Sequence, residues 1–254
     1  MKLIFGLVLI YLAYAVVMVF LHPRFIYPFS PDGGVLPGFR EVALTGADGV
    51  PVYVQLHEGT GPVVVYFMGN AGALPLFESA FQRHIEAGRQ VVAMEYRGGG
   101  GRPGAPREDV LKRDALVVME YAASFEKPLI VQGYSMGSGL ATYVSTKQDV
   151  AGVILVAPFD AMCRLMARRA FLPACALPFV DHWRSLDQAR DIAAPILVLH
   201  GSADQVIPPE HSAAFETLPT VQREIIKGAA HADIGQFSAY DDAMETFISG
   251  LPKN

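Results

Sequence analysis

Three residues carry the strongest chemical signal in this chain: Ser135, Asp204 and His231. Ser135 lies in Gly133-Tyr134-Ser135-Met136-Gly137, between the apolar run Pro128 to Gln132 and the helix-like segment Ser138 to Lys147. A serine on a sharp strand-to-helix turn holds its hydroxyl clear of the fold, and the flanking glycines permit the strained backbone and the close approach of neighbouring chain. The pentapeptide alone is a weak signal in a chain with 24 glycines, so its context decides. A serine hydroxyl is a poor nucleophile at neutral pH and needs a base to take its proton and a third group to orient that base. His231, in Gly228-Ala229-Ala230-His231, and Asp204, in His200-Gly201-Ser202-Ala203-Asp204, each follow a predicted strand, and the chain order Ser, Asp, His is one of those known for such triads. Taken singly, Asp204 would read as a turn or helix-cap aspartate and His231 as a helix cap.

Other arrangements compete less well. Asp160, just past the apolar run Val153 to Val156, is the alternative acid, while His200 at a strand end is expected to pack beneath the loops. Gly99-Gly100-Gly101-Arg102-Pro103-Gly104 satisfies G-x-G-x-x-G, but Pro103 and Pro106 intervene before any helix and the preceding strand is not the first of its sheet, so a dinucleotide site is rejected. No H-e-x-x-H spacing occurs, and the chemistry of the triad calls for neither metal nor organic cofactor.

The elements that must position these residues alternate as in a doubly wound sheet. Strands are predicted over Val52 to Leu56, Val63 to Phe67, Val91 to Met94, Leu129 to Gln132, Val153 to Val156, Ile196 to Leu199 and Arg223 to Ile226. Helices are predicted over Leu76 to Ala87, Pro106 to Phe125, Pro209 to Leu218 and Asp233 to Ser249. Continuous apolar runs such as Val153 to Ala157 suit strands covered on both faces. The interval from about residue 160 to 194 is too long for a simple connection and reads either as a small helical lid, with His182 placed to touch substrate, or as a structural helix pair.

The N-terminus differs in kind. Leu3 to Leu21 contains no charge and no proline and would span about 28 Å as a helix, close to the hydrocarbon thickness of a bilayer. Residues 1–22 are read as a transmembrane anchor, with a cleaved signal peptide, using Ala13 and Ala15, as the competing reading. Lys2 and the terminal amine precede the span and Arg24 follows it, a slight bias toward a cytoplasmic N-terminus and a non-cytoplasmic domain. Residues 23–38, with Pro23, Pro28, Pro31 and Pro37, read as a linker whose Arg24, Phe25, Tyr27 and Phe29 either sit at the headgroups or pack on the domain. Residues 39–254 form one catalytic-sized domain. A net charge of −5 without any cationic run argues against a nucleic-acid partner. Cys163 and Cys175 are either two buried thiols or one disulfide.

The three motifs around Ser135, Asp204 and His231, together with Met68-Gly69-Asn70-Ala71-Gly72, Glu95-Tyr96-Arg97-Gly98 and the N-terminal span, resemble the α/β-hydrolase superfamily. Within it the chain is similar to the membrane-anchored serine hydrolases related to Bem46 and to the alpha/beta hydrolase domain-containing proteins 13 and 17, from roughly Phe39 to the C-terminus. The resemblance implies an α/β-hydrolase fold: a mostly parallel eight-stranded sheet, helices on both faces and a small helical lid. It implies Ser135 as nucleophile, His231 as base then acid, Asp204 as orienting acid, and an oxyanion hole from the N–H groups of Met136 and Asn70, or Ala71 if the loop is shifted by one. The expected activity is a carboxylesterase or thioesterase reaction on an acyl ester or thioester, with a lipid-like substrate favoured by the tether, and a serine peptidase or a non-catalytic binding protein as alternatives. Relatives carry His-Gly where this chain has Met68-Gly69, and Asp where it has Glu95.

Overall fold

The computed structural model describes residues 1–252. Its centre is one eight-stranded sheet of β1 (Arg40–Thr45), β2 (Pro51–His57), β3 (Val63–Phe67), β4 (Gln90–Met94), β5 (Leu129–Tyr134), β6 (Gly152–Val156), β7 (Ile196–Gly201) and β8 (Val221–Ile226). The spatial order is β1-β2-β4-β3-β5-β6-β7-β8. β2 runs antiparallel to both β1 and β4, and every later pairing is parallel. β3, β4, β6 and β7 are buried along their whole length and β5 at all but Tyr134, as their largely apolar runs require of strands covered on both faces.

β1 has no counterpart among the seven predicted strands. Only two of its six residues, Val42 and Leu44, are less than exposed, so its alternation is faint and its pairing along the whole of β2 creates it.

One layer of cover comprises α3 (Glu108–Ala123) and α4 (Gly137–Ser145), and the opposite face carries α8 (Ser238–Ser249) packed on Val64, Ile130, Ile154 and Leu197. α2 (Glu78–Glu86) follows the β3 loop. Between β6 and β7 lie α5 (Met162–Ala170), a short 3₁₀ turn at Ala174–Ala176 and α6 (Ser185–Ala189). The predicted helix over Pro209 to Leu218 is shorter, α7 (Glu210–Ala213) continuing as a 3₁₀ turn, and the last helix begins at Ser238 rather than Asp233. Cys163 and Cys175 are joined as a disulfide that ties α5 to the following turn.

The N-terminal helix, α1 (Lys2–Ile26), runs past the predicted end of the span and through Pro23. A proline inside a helix forfeits a hydrogen bond. Here tertiary contacts offset the loss, because His22 and Ile26 are buried against the domain and His22 Nε2 accepts the Asp181 N–H at 3.2 Å. The segment beyond it packs on the domain: Tyr27 donates to Asp181 at 2.6 Å and accepts from Trp183 Nε1 at 3.0 Å, while Phe29 stacks on Tyr96 at 5.6 Å. Phe25 stays exposed.

α2, β5 and α8 are joined across the sheet by a buried polar chain. His84 Nε2 donates to Gln132 Oε1 at 2.7 Å, Gln132 Nε2 donates to the Tyr240 hydroxyl at 3.3 Å, and Arg89 beside them pairs with Glu245. Burial lowers the His84 pKa to about 4, the Gln132 bond opposing and the Arg89 charge assisting. The imidazole is therefore neutral when folded and protonates first in the unfolded chain, so its contribution is complete above about pH 6.5 and is lost as pH falls toward about 4. The urea midpoint of detergent-solubilised protein is expected to fall across that window by more in the wild type than in His84→Gln; parallel falls would contradict it.

Candidate active site

Ser135 stands between β5 and α4 with φ at 53°, a left-handed conformation that few residues other than glycine adopt. The turn holds because its surroundings over-determine it. The Ser135 N–H donates to Val156 O at 2.8 Å, and Ser138 Oγ donates to Ser135 O at 2.6 Å. Gly137 faces the carbonyls of Phe67 and Met68 so closely that a Cβ there would collide with backbone.

Asp204, in the loop after β7, and His231, in the loop after β8, converge on this turn. Ser135 Oγ lies 2.9 Å from His231 Nε2, and His231 Nδ1 lies 2.7 Å from Asp204 Oδ2. A carboxylate accepts, so Nδ1 carries the proton and Nε2 is left to accept from the serine hydroxyl. Asp204 Oδ1 also accepts the N–H groups of Val206 and Ile207, both at 2.8 Å. Burial works against its charge, but the bonds from His200, His231 and Ile207 outweigh it and hold the carboxyl well below the usual carboxylate range.

His200 does pack beneath the loops, with Nε2 donating to Ile207 O at 2.8 Å and lying 3.3 Å from Asp204 Oδ2. Asp160 is elsewhere: it accepts from His211 Nδ1 and from Arg164, each at 2.7 Å. His182 does not reach the site, because its Nε2 donates to Leu177 O at 3.0 Å and its N–H is taken by Glu108.

The loop after β3 brings Asn70 and Ala71 beside His231, where they line a cavity of about 290 Å³ with Leu76, Phe77 and Ile234. Among the described residues, neither the Asn70 N–H nor the Met136 N–H has a protein acceptor. Met68 is fully buried, and Tyr96 donates to its carbonyl at 2.7 Å. Glu95 is also tied down, accepting from Gln55 at 2.5 Å and from Arg102. The glycine-rich loop holding Arg102 packs on the segment after α1, with the Gly100 N–H donating to Ser30 O at 2.8 Å.

Sequence reasoning assigned no role to Tyr134, yet its hydroxyl donates to His231 O at 2.7 Å and its ring lies 5.3 Å from the imidazole. Its place inside the pentapeptide was the available signal. Burial first, and then the Asp204 charge, push its phenol above the ordinary range. The bracing of the Asn70 loop was equally silent in sequence: Ser30 N–H donates to Ala71 O at 2.8 Å, and the Phe29 ring lies where a Cβ on Gly72 would stand.

A family model described as an alpha/beta hydrolase domain matches residues 75–238, and the chain belongs to that family. An uncharacterized protein of Mycobacterium tuberculosis is 28% identical over 218 residues, covering 81% of this chain and 77% of its own. Alpha/beta hydrolase domain-containing protein 17C of Xenopus tropicalis is 26% identical over 208 residues, covering 78% of this chain and 65% of its own length. Among solved structures, a Pyrococcus furiosus esterase superposes with a TM-score of 0.71 at 17% identity, over 84% of this chain and 92% of its own. A serine hydrolase homologue from Coxiella burnetii gives 0.63 at 18%, over 82% and 96%. At such identities the superpositions speak to the fold.

The two candidate acids separate cleanly by substitution. Asp204→Asn is expected to lower kcat on a p-nitrophenyl ester by roughly 10⁴-fold, through loss of the correct imidazole tautomer. Asp160→Asn is expected to stay within a few-fold of wild type, and the reverse pattern would transfer the acid to Asp160.

Proposed function

We propose that this chain is a membrane-anchored serine hydrolase that cleaves an ester or thioester through an acyl-enzyme. The observation that carries the reading is the unbroken chain from Ser135 Oγ through His231 to Asp204, at 2.9 and 2.7 Å, on a left-handed turn. Ser135 Oγ attacks the acyl carbon while its proton passes to His231 Nε2, and the carbonyl π electrons move onto oxygen. The N–H groups of Met136 and Asn70 receive that oxyanion, each donor lowering the barrier by on the order of 3 kcal/mol. Collapse expels the alcohol or thiol, which takes the proton from His231. A water then repeats the sequence on the acyl-serine, its proton again going to His231 and finally to Ser135.

Anchoring rests on α1, whose length and apolarity suffice to cross a membrane and whose side chains from Leu3 to Leu12 are largely exposed. The Cys163–Cys175 pairing favours an oxidising compartment for the domain, in line with the placement of Lys2 before the span. The tether favours a lipid-like or acylated substrate, and no cofactor has a role in the chemistry above.

The wild type is expected to react covalently with a fluorophosphonate probe and Ser135→Ala to give none of that labelling. Ester turnover by the variant should drop by at least about 10⁴-fold. A well-folded wild type that neither labels nor turns over esters would leave a non-catalytic binding protein as the reading.

A further inference from the structure

The segment between β6 and β7 does more than pack beside the sheet: its far end is bonded to the middle of α1. Tyr14 donates to Ala170 O at 2.8 Å and Tyr11 donates to Phe171 O at 3.0 Å. Those are carbonyls at the C-terminal end of α5, which have no partner within the helix. Tyr11 lies ten residues before Leu21, or about 15 Å along the helix, half the thickness of a hydrocarbon core. Beside these bonds Met18 and Val19 of α1 line a small cavity with Met166, Leu172 and Val180, and Val19 packs on the cluster that holds Val180.

Phe171 is 82% exposed and sits at φ 52°, where a helix end ordinarily places glycine or asparagine. A bulky aromatic side chain is thus held outward at strain, next to the exposed apolar surface of α1. Immediately behind it stand Arg168 and Arg169, both exposed. Neither has a carboxylate partner among the described residues, and Arg169 donates to Val206 O at 2.6 Å. By contrast Arg164 is paired with Asp160 and Arg184 with Asp187.

We propose that the tip around Phe171 is a second membrane contact, inserting into the hydrocarbon beside α1 while Arg168 reaches back to lipid phosphates. Such a contact requires the membrane anchoring proposed above, with α1 lying in a bilayer. In hydrocarbon a bare backbone carbonyl is costly, and the Tyr11 and Tyr14 hydroxyls supply the partners that water would otherwise provide. A long arginine stem lets charge remain at headgroup depth while apolar neighbours sit deeper. Through Arg169 the tip touches Val206, two residues from Asp204, so the contact holds the candidate catalytic face against the lipid surface.

The test uses the full-length protein in phosphatidylcholine vesicles containing a minor fraction of phosphatidylglycerol, with and without mid-chain bromine on the acyl chains. Trp183 is the only native tryptophan and is fully buried, so the wild type sets the unquenched baseline. Phe171→Trp changes an exposed side chain and Leu9→Trp reports on the anchor. In brominated vesicles the added emission of both variants is expected to fall by roughly twofold or more, as for apolar side chains seated below the headgroups. Quenching of Leu9→Trp alone would overturn the second contact and leave the anchor standing. Quenching of neither would overturn the anchor reading and this proposal with it.

Discussion

Everything at the candidate site is arranged around one costly backbone conformation, the left-handed turn at Ser135. It survives because β5 is central: the end of β3 and the residue after it supply the Phe67 and Met68 carbonyls against Gly137 on one side, and β6 on the other supplies the Val156 acceptor for the Ser135 N–H. The sheet order also explains which loops can reach the serine. The loop after β3 is an immediate neighbour, so Asn70 and Ala71 arrive without a detour. β7 and β8 are two and three strands away, roughly 10 and 14 Å at ordinary strand spacing, so their loops must lean back across the sheet. Tyr134 accounts for part of that lean, reaching from the elbow itself to the His231 carbonyl. Asp204 accounts for the rest, since four groups converge on its carboxylate and fix the imidazole from behind.

Much of this was legible in the residues because the signals were local. The pentapeptide, the loops after two apolar runs and the long central strands are each written in contiguous sequence, and the seven predicted strands all appear. What escaped depends on distant partners. β1 has too little alternation of its own and exists through β2. The continuation of α1 through Pro23 runs against local preference and follows from the burial of His22 and Ile26. His182 looked available for substrate because nothing nearby in sequence announces Glu108 and Leu177 as its partners. The pairing of Cys163 with Cys175 stayed open for a similar reason, since a spacing of 12 permits a bond without requiring one.

The segment from Tyr27 to Gly34, which reads as a linker, is built into the domain. Tyr27 is locked between Asp181 and Trp183, Phe29 lies on Gly72 and Tyr96, and Ser30 joins Ala71 to Gly100. The chain therefore passes from α1 directly under the loop that presents the Asn70 N–H. A cut between Gly34 and Phe39 would sever this strap from the sheet it braces, whereas a cut before Tyr27 would leave it joined to the domain. The shape of the Asn70 loop is thus set in part by residues that precede the first strand of the sheet, so the integrity of that loop is a property of the chain ahead of β1 as well as of the sheet itself.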